Sequence, residues 1–166
     1  MAKGGNAFDA AVAVSSVLSV VEPVSSGIGG GGFFLLHDAK TGRDIMIDAR
    51  ETAPASASPA IYLDAKGELD RDKAENGPLS AGIPGLPAGL VYLAKRYGRL
   101  PLSVSLAPAI RHARNGFEVY PRLVVQYEER KEVMARYDGT RKVYLADGDG
   151  LEAGEKLLEL LPEHTD

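Results

Sequence analysis

Five glycines crowd positions 27–32, and a run of bulky apolar residues follows them in "VSSGIGGGGFFLLHD". This stretch constrains the fold more than any other, because backbone without side chains lets other chain segments or a ligand come close. By spacing, Gly27, Gly29 and Gly32 fit the dinucleotide pattern G-x-G-x-x-G. That pattern binds pyrophosphate only where it follows a strand and opens a helix, so that the phosphate meets the helix N-terminus. Here the order is reversed. "GGNAFDAAVAVSSVLSVVEP" reads as a helix before the glycines, with Asn6 as N-cap, Asp9 in the first turn and Pro23 closing it. "FFLLHDAKTGRDIMIDARET" reads as a hairpin after them, with strands at 33–37 and 43–50 and a turn at Lys40-Thr41-Gly42. No Walker lysine follows the glycines. Two readings stay open: tight packing of a buried helix on a strand, or close backbone approach to a ligand.

The first helix is apolar on most faces through Val12, Val14, Val17, Leu18 and Val21, which predicts cover on more than one side. The hairpin is apolar on both faces, Phe33 and Leu35 against Phe34 and Leu36, as in a strand between two layers. The chain of 166 residues is long enough for one domain with its own core. Beyond the hairpin, the Pro-, Ala- and Ser-rich stretch through 53–85 reads as a surface excursion. "LPAGLVYLAKRYG" is a helix with Pro87 in its first turn, Leu90, Leu93 and Ala94 on one face, and Gly98 as its stop. "LPLSVSLAPAIRHARNG" is helical up to Gly116, with Pro108 kinking it or opening its second half. "YPRLVVQYEERKEVMARY" predicts one charged amphipathic helix. "KVYLADGDGLEAGEKLLELLPEHTD" predicts a short strand, a turn and a fraying helical end.

The chemistry inventory excludes more than it offers. Without cysteine there is no disulfide, thiolate nucleophile or cysteine-based zinc site. A net charge of −4 and no cluster of Lys and Arg give no reason to expect nucleic acid. The apolar run 10–21 is too short to span a bilayer, and the start has no charged region of a signal peptide. His37, His112 and His164 show no metal-ligand spacing, and "DGDG" at 147–150 lacks the next oxygen ligand of a calcium loop. Glu128, Glu129 and Glu132 with Arg130 and Lys131 read as a solvated helix face. Neither a cofactor nor a metal is expected.

Arg50 stands apart. It ends a strand in which Ile45, Ile47 and Ala49 share one face, so it points the other way or sits at the strand's mouth. It is either an edge arginine paired with Glu51 or Asp48, or a guanidinium fork aimed at a substrate carboxylate.

"KGGNAFDAAVA", "GIGGGGFFLL", "IDARETAP", "SAGIPGLPAGL" and "YGRLPLSVSLAPAIRHARNGF" resemble, in the same order, successive blocks in the large-subunit region of gamma-glutamyltranspeptidases. "YLADGDGLEAGEKL" is similar to a weaker block that follows. The resemblance implies an N-terminal nucleophile hydrolase, an α+β fold built as a four-layer αββα sandwich, here as a single partial domain over 1–166. It implies a precursor that cuts itself before a threonine, which becomes nucleophile and, through its α-amine, general base. It implies transfer of gamma-glutamyl groups, as from glutathione, to water or an amine. It places the arginine that binds the glutamyl α-carboxylate at Arg50, and it makes the glycine block a packing device near the site.

The family's nucleophile block of consecutive threonines and a histidine is absent. Thr41, Thr52, Thr140 and Thr165 stand in a turn, after Arg50, in a polar loop and next to the last residue. The chain is therefore expected to carry no catalytic residue and to need a missing C-terminal half, or self-association, to cover its faces. The alternative is a non-catalytic, vestigial or binding fragment; a related acyltransferase acting on poly-gamma-glutamate is a third reading. The family is usually periplasmic or extracellular, and localisation is not readable from this chain.

Overall fold

In the computed structural model the described residues are 2–145 and 150–157. The order is α1 (Ala7–Val21), α2 (Pro23–Ser26), β1 (Gly32–Asp38), β2 (Arg43–Ala49), α3 (Arg71–Glu75), α4 (Leu86–Tyr97), α5 (Leu102–Asn115), β3 (Phe117–Glu118), α6 (Pro121–Glu128), α7 (Lys131–Met134), α8 (Asp138–Tyr144) and β4 (Lys156–Leu157). Contacts group the chain into two compact units, one of residues 1–27 with 93–166, the other of residues 28–92. No described helix is long and apolar enough to cross a membrane.

In the first unit α1 packs against α5. The Asn6 cap is as expected: its side chain accepts the N–H groups of Phe8 and Asp9, and Asp9 returns a bond to the Asn6 N–H, a complete capping box. The buried stripe of α1 differs from the expectation. It is Asp9, Val12, Ser16 and Ser19, while Val14 is 57% and Leu18 38% exposed. Small serines permit close helix approach, and each hydroxyl is satisfied by the carbonyl one turn back, Ser16 to Val12 at 2.7 Å and Ser19 to Ser15 at 2.9 Å.

Asp9 does more than cap. Its Oδ1 accepts the backbone N–H groups of Arg99 and Leu100, both at 3.1 Å, and its Oδ2 accepts those of Asn6 at 2.8 Å and Arg99 at 3.0 Å. Burial alone would push this carboxyl up. The N–H groups of Asn6, Arg99 and Leu100, with the Arg99 charge, outweigh it and hold the group below the ordinary carboxylate value. Gly98 belongs to this arrangement. It ends α4 as expected, but by proximity and not by a left-handed turn: a β-carbon there would lie 2.6 Å from Asp9 Oδ1.

A second core gathers Phe117, Val119, Leu123, Tyr127, Leu151 and Leu157, with Val20 and Val21 of α1 against it. β3 and β4 pair antiparallel, Phe117 opposite Leu157. Three expectations fail here. The single helix over 120–137 breaks at Arg130, which has φ −117° and ψ 0°; beyond the break Met134 packs on the same core. "KVYL" is not a strand but lies largely in α8, so Thr140 is helical; Tyr144 stacks on Tyr127 at 5.4 Å, a tertiary contact that overrides strand propensity. "EKLL" begins as strand β4 because Phe117 offers an edge; residues 158–166 lie outside the described residues, as do 146–149. α5 runs unbroken through Pro108 and ends at Gly116, φ +76°.

The second unit is built on the β1–β2 hairpin, paired from Gly32 opposite Ala49 to Asp38 opposite Arg43. The turn is as expected, with Gly42 at φ +66° and its N–H on Asp38 O at 2.8 Å. Phe34, Leu36, Ile45, Ile47 and Ala49 form the covered face, with Leu36 and Ala49 buried. The other face stands open: Phe33 is 57%, Leu35 78% and Met46 64% exposed. That is a hairpin apolar on both sides with one side covered.

Candidate functional site

Arg50 follows the last residue of β2 and lies in backbone that two glycines approach closely. A β-carbon at Gly31 would come within 2.5 Å of Ala49 O, 2.7 Å of Glu51 N and 2.8 Å of Arg50 Cα. A β-carbon at Gly85 would overlap the carbonyl oxygens of Ala49 and Arg50. Gly30 O accepts the N–H groups of Gly85 and Leu86, each at 3.1 Å, so the glycine run also fastens the start of α4. Just beyond, Thr52 and Ile83 exchange backbone hydrogen bonds at 2.8 and 3.3 Å. Gly30 and Gly31 therefore bring backbone to backbone around Arg50, a close packing different from the expected one of a buried helix on a strand. The partner is the strand end and not α1.

The covered face of β2 points Ile45, Ile47 and Ala49 inward and leaves Arg50 exposed, as the alternation predicts. Its guanidinium Nε lies 3.2 Å from Glu51 Oε2, and its Cζ lies 6.0 Å from the centre of the Phe33 ring. Asp48 takes a different part: its Oδ1 accepts the Arg50 backbone N–H at 2.9 Å. Among the described residues Glu51 is the carboxylate paired with Arg50. Beside Arg50 opens a cleft of about 570 Å³, lined by Ile45, Ile47, Ile83, Ala88 and Tyr92 among others. Glu51 borders a second cleft of about 360 Å³ with Thr52, Tyr62 and Ser80.

Sequence reasoning missed Gly82, Gly85 and Gly89 as builders of this site. A β-carbon at Gly82 would lie 2.9 Å from Glu51 Cβ, and one at Gly89 2.6 Å from Ala49 Cβ. The available signal was spacing: Gly85, just ahead of α4, and Gly89 in its first turn are four residues apart and both face Ala49.

The remaining candidates lie apart. His37 pairs with Asp44 at 2.8 Å across the exposed hairpin face, and His112 is exposed on α5. Thr41 donates to Asp38 Oδ2 at 2.9 Å within the turn. Lys131 pairs with Glu128 at 3.4 Å on a solvated face. No group of acidic and histidine side chains among the described residues has the geometry to hold a metal ion. His164, Thr165 and most of the "DGDG" stretch lie outside the described residues.

The comparisons with known proteins agree with the resemblance. The chain is 42% identical to glutathione hydrolase 3 of Arabidopsis thaliana over 92% of its own length and 23% of that protein's. It is 41% identical to the glutathione hydrolase proenzyme of Pseudomonas aeruginosa, over 94% of this chain and 27% of the relative. It thus spans about a quarter of the length of these curated relatives. The fold superimposes on the gamma-glutamyltranspeptidase of Helicobacter pylori with a TM-score of 0.90 at 36% identity, covering 95% of this chain and 45% of that one. The expected α+β fold, a part of the N-terminal nucleophile hydrolase sandwich, is borne out to that extent. With the sequence model described as gamma-glutamyltranspeptidase matching residues 1–164, this chain belongs to the gamma-glutamyltranspeptidase family.

Proposed function

We propose that this chain forms the donor-carboxylate side of an enzyme that transfers or hydrolyses gamma-glutamyl groups, as its curated relatives, named glutathione hydrolases, do with glutathione. The observation that carries the reading is the Arg50 guanidinium, more than half exposed beside a cleft, with Glu51 as its ion-pair partner. A planar fork of N–H donors fits the α-carboxylate of a glutamyl donor in two parallel charge-assisted bonds. The role of Arg50 is to fix the donor so that its γ-carbonyl carbon meets the nucleophile in one orientation, which lowers the entropy cost of the acyl transfer.

The nucleophile itself we assign to the part of the relatives that this chain does not span. Thr41, Thr52 and Thr140 sit in a turn, a backbone bridge and a helix, none with a free α-amine beside it. The open face of Phe33, Leu35 and Met46 we assign to the same remainder of the protein or to a second copy as cover.

Two outcomes follow. The 166-residue chain alone turns over no gamma-glutamyl p-nitroanilide, since covalent acyl transfer needs an activated nucleophile. Turnover that persists in a preparation free of host transpeptidase overturns this. In the complete protein, Arg50→Lys keeps the charge and loses the fork, and donor binding weakens by about 1.5–3 kcal/mol. A KM for the donor equal to the parent's in that variant returns Arg50 to a simple edge pair.

A further inference from the structure

We propose that Asn115 is a site of spontaneous covalent modification: the backbone nitrogen of Gly116 attacks the Asn115 carboxamide, ammonia leaves, and water opens the resulting succinimide to aspartate or isoaspartate at the junction of α5 and β3.

The chain holds two Asn-Gly pairs, Asn76-Gly77 and Asn115-Gly116. Glycine after asparagine leaves the attacking nitrogen without a side chain to shield it. The structure separates the two pairs. Asn76 is held: its Nδ2 donates to Asp72 Oδ1 at 2.8 Å, and its backbone N–H donates to Asp72 O at 2.8 Å. Attack at the Asn76 carboxamide has to break that charge-assisted bond first. Asn115 is exposed, and among the described residues its carboxamide has no hydrogen-bond partner.

The backbone at Asn115 is also free to turn. Asn115 is the last residue of α5, so its carbonyl lies beyond the hydrogen-bond ladder of the helix. Gly116 follows at φ +76°, and its N–H makes no backbone hydrogen bond among the described residues. Gly98, which ends α4, differs, because its N–H is bonded to Leu93 O and Ala94 O. To bring the nitrogen to Cγ, the peptide between Asn115 and Gly116 has to rotate. Opposite turns of ψ at Asn115 and φ at Gly116 rotate this plane and leave the flanking chain in place. Glycine permits that change of φ, and a residue with a β-carbon resists it. α5 and β3 can therefore stay packed, with Phe117 opposite Leu157, while the peptide between them turns.

The reaction balances with water alone. A bond forms between Gly116 N and Asn115 Cγ, and the Cγ–Nδ2 bond breaks. The proton on Gly116 N departs with Nδ2 as ammonia. Water then adds at either ring carbonyl. Opening at Cγ gives aspartate. Opening at the main-chain carbonyl gives isoaspartate, which routes the backbone through the side chain and lengthens it by a single carbon just ahead of buried Phe117. Either product sets a carboxylate at the negative end of the α5 dipole.

The test is peptide mapping by mass spectrometry of the complete protein, held folded in mildly alkaline buffer. The peptide carrying Asn115 should gain ~1 Da, the difference between an amide and an acid, with isoaspartate at that position. The same gain at Asn76 should be about tenfold slower, the scale of one charge-assisted hydrogen bond. In urea, where the fold no longer distinguishes the two pairs, their rates should converge. Asn115→Gln should remove the gain from its peptide, because the longer side chain must close a larger ring. No gain at Asn115 in the folded protein, over the time in which the urea-unfolded protein reacts, overturns the proposal. A gain at Asn76 as fast as that at Asn115 in the folded protein overturns it too, because sequence alone would then set the rate. So does a gain that persists in the Asn115→Gln peptide.

Discussion

Gly85→Ala should cost the second unit on the order of 3 kcal/mol, the upper range for forcing an extra carbon into a packed site. The new β-carbon would meet the carbonyl oxygens of Ala49 and Arg50, which are backbone and cannot rotate away. α4 cannot retreat either, because the Gly85 and Leu86 N–H groups are bonded to Gly30 O. Gly31 closes on the same strand end. The relaxation left is a shift of Arg50 itself, so donor KM should rise with the loss of stability. Urea unfolding of the chain checks the first effect, and a midpoint indistinguishable from the parent's would show that the close approach carries no energetic weight.

The second large effect belongs to Asp9. Asp9→Asn puts an amide where a carboxylate accepts three backbone N–H groups, that of Arg99 shared between both oxygens, and turns donor towards donor at one oxygen position. Charge-assisted bonds of this kind are worth about 1.5–3 kcal/mol each, and a partly buried N–H left unpaired adds to the cost, so a loss of roughly 3 kcal/mol is expected. The pH dependence carries the same signature. Because the folded chain holds this carboxyl below its ordinary value, the unfolded chain takes up the proton more readily. The stabilisation is complete above the ordinary Asp value near pH ~4 and is lost as pH falls through the lower folded value. Unfolding midpoints measured from neutral to acid pH should fall more steeply for the parent than for Asp9→Asn. Parallel curves would mean that Asp9 is not the group that responds.

What the sequence disclosed was local. The Asn6 cap, the hairpin with its Lys40-Thr41-Gly42 turn, the first-turn Pro87 and the buried face of Leu90, Leu93 and Ala94 are all set by residues within a few positions of one another. The expectation that Arg50 points away from the covered face or sits at the strand's mouth also held: it stands exposed just past the end of β2. What stayed hidden depends on distant partners. Ser16 and Ser19 are buried while Val14 and Leu18 are exposed, a choice of face set by tertiary packing that hydropathy does not encode. Gly85 reads as an ordinary residue ahead of a helix until Ala49 and Arg50 are known to lie against it. "KVYL" has strand composition and becomes largely helical through Tyr144 on Tyr127.

The glycine run is not one flexible hinge but a set of unequal positions. At Gly29 and Gly32 a β-carbon would meet nothing within 4 Å, and neither backbone is left-handed. Alanine at such places costs the folded chain nothing and narrows the freedom of the unfolded one, a gain of about 0.4–1 kcal/mol at each. Gly31, between them, admits no such change. The run thus holds a reserve of denatured-chain entropy that can be removed by design at its two open positions while the backbone approach around Arg50 stays intact.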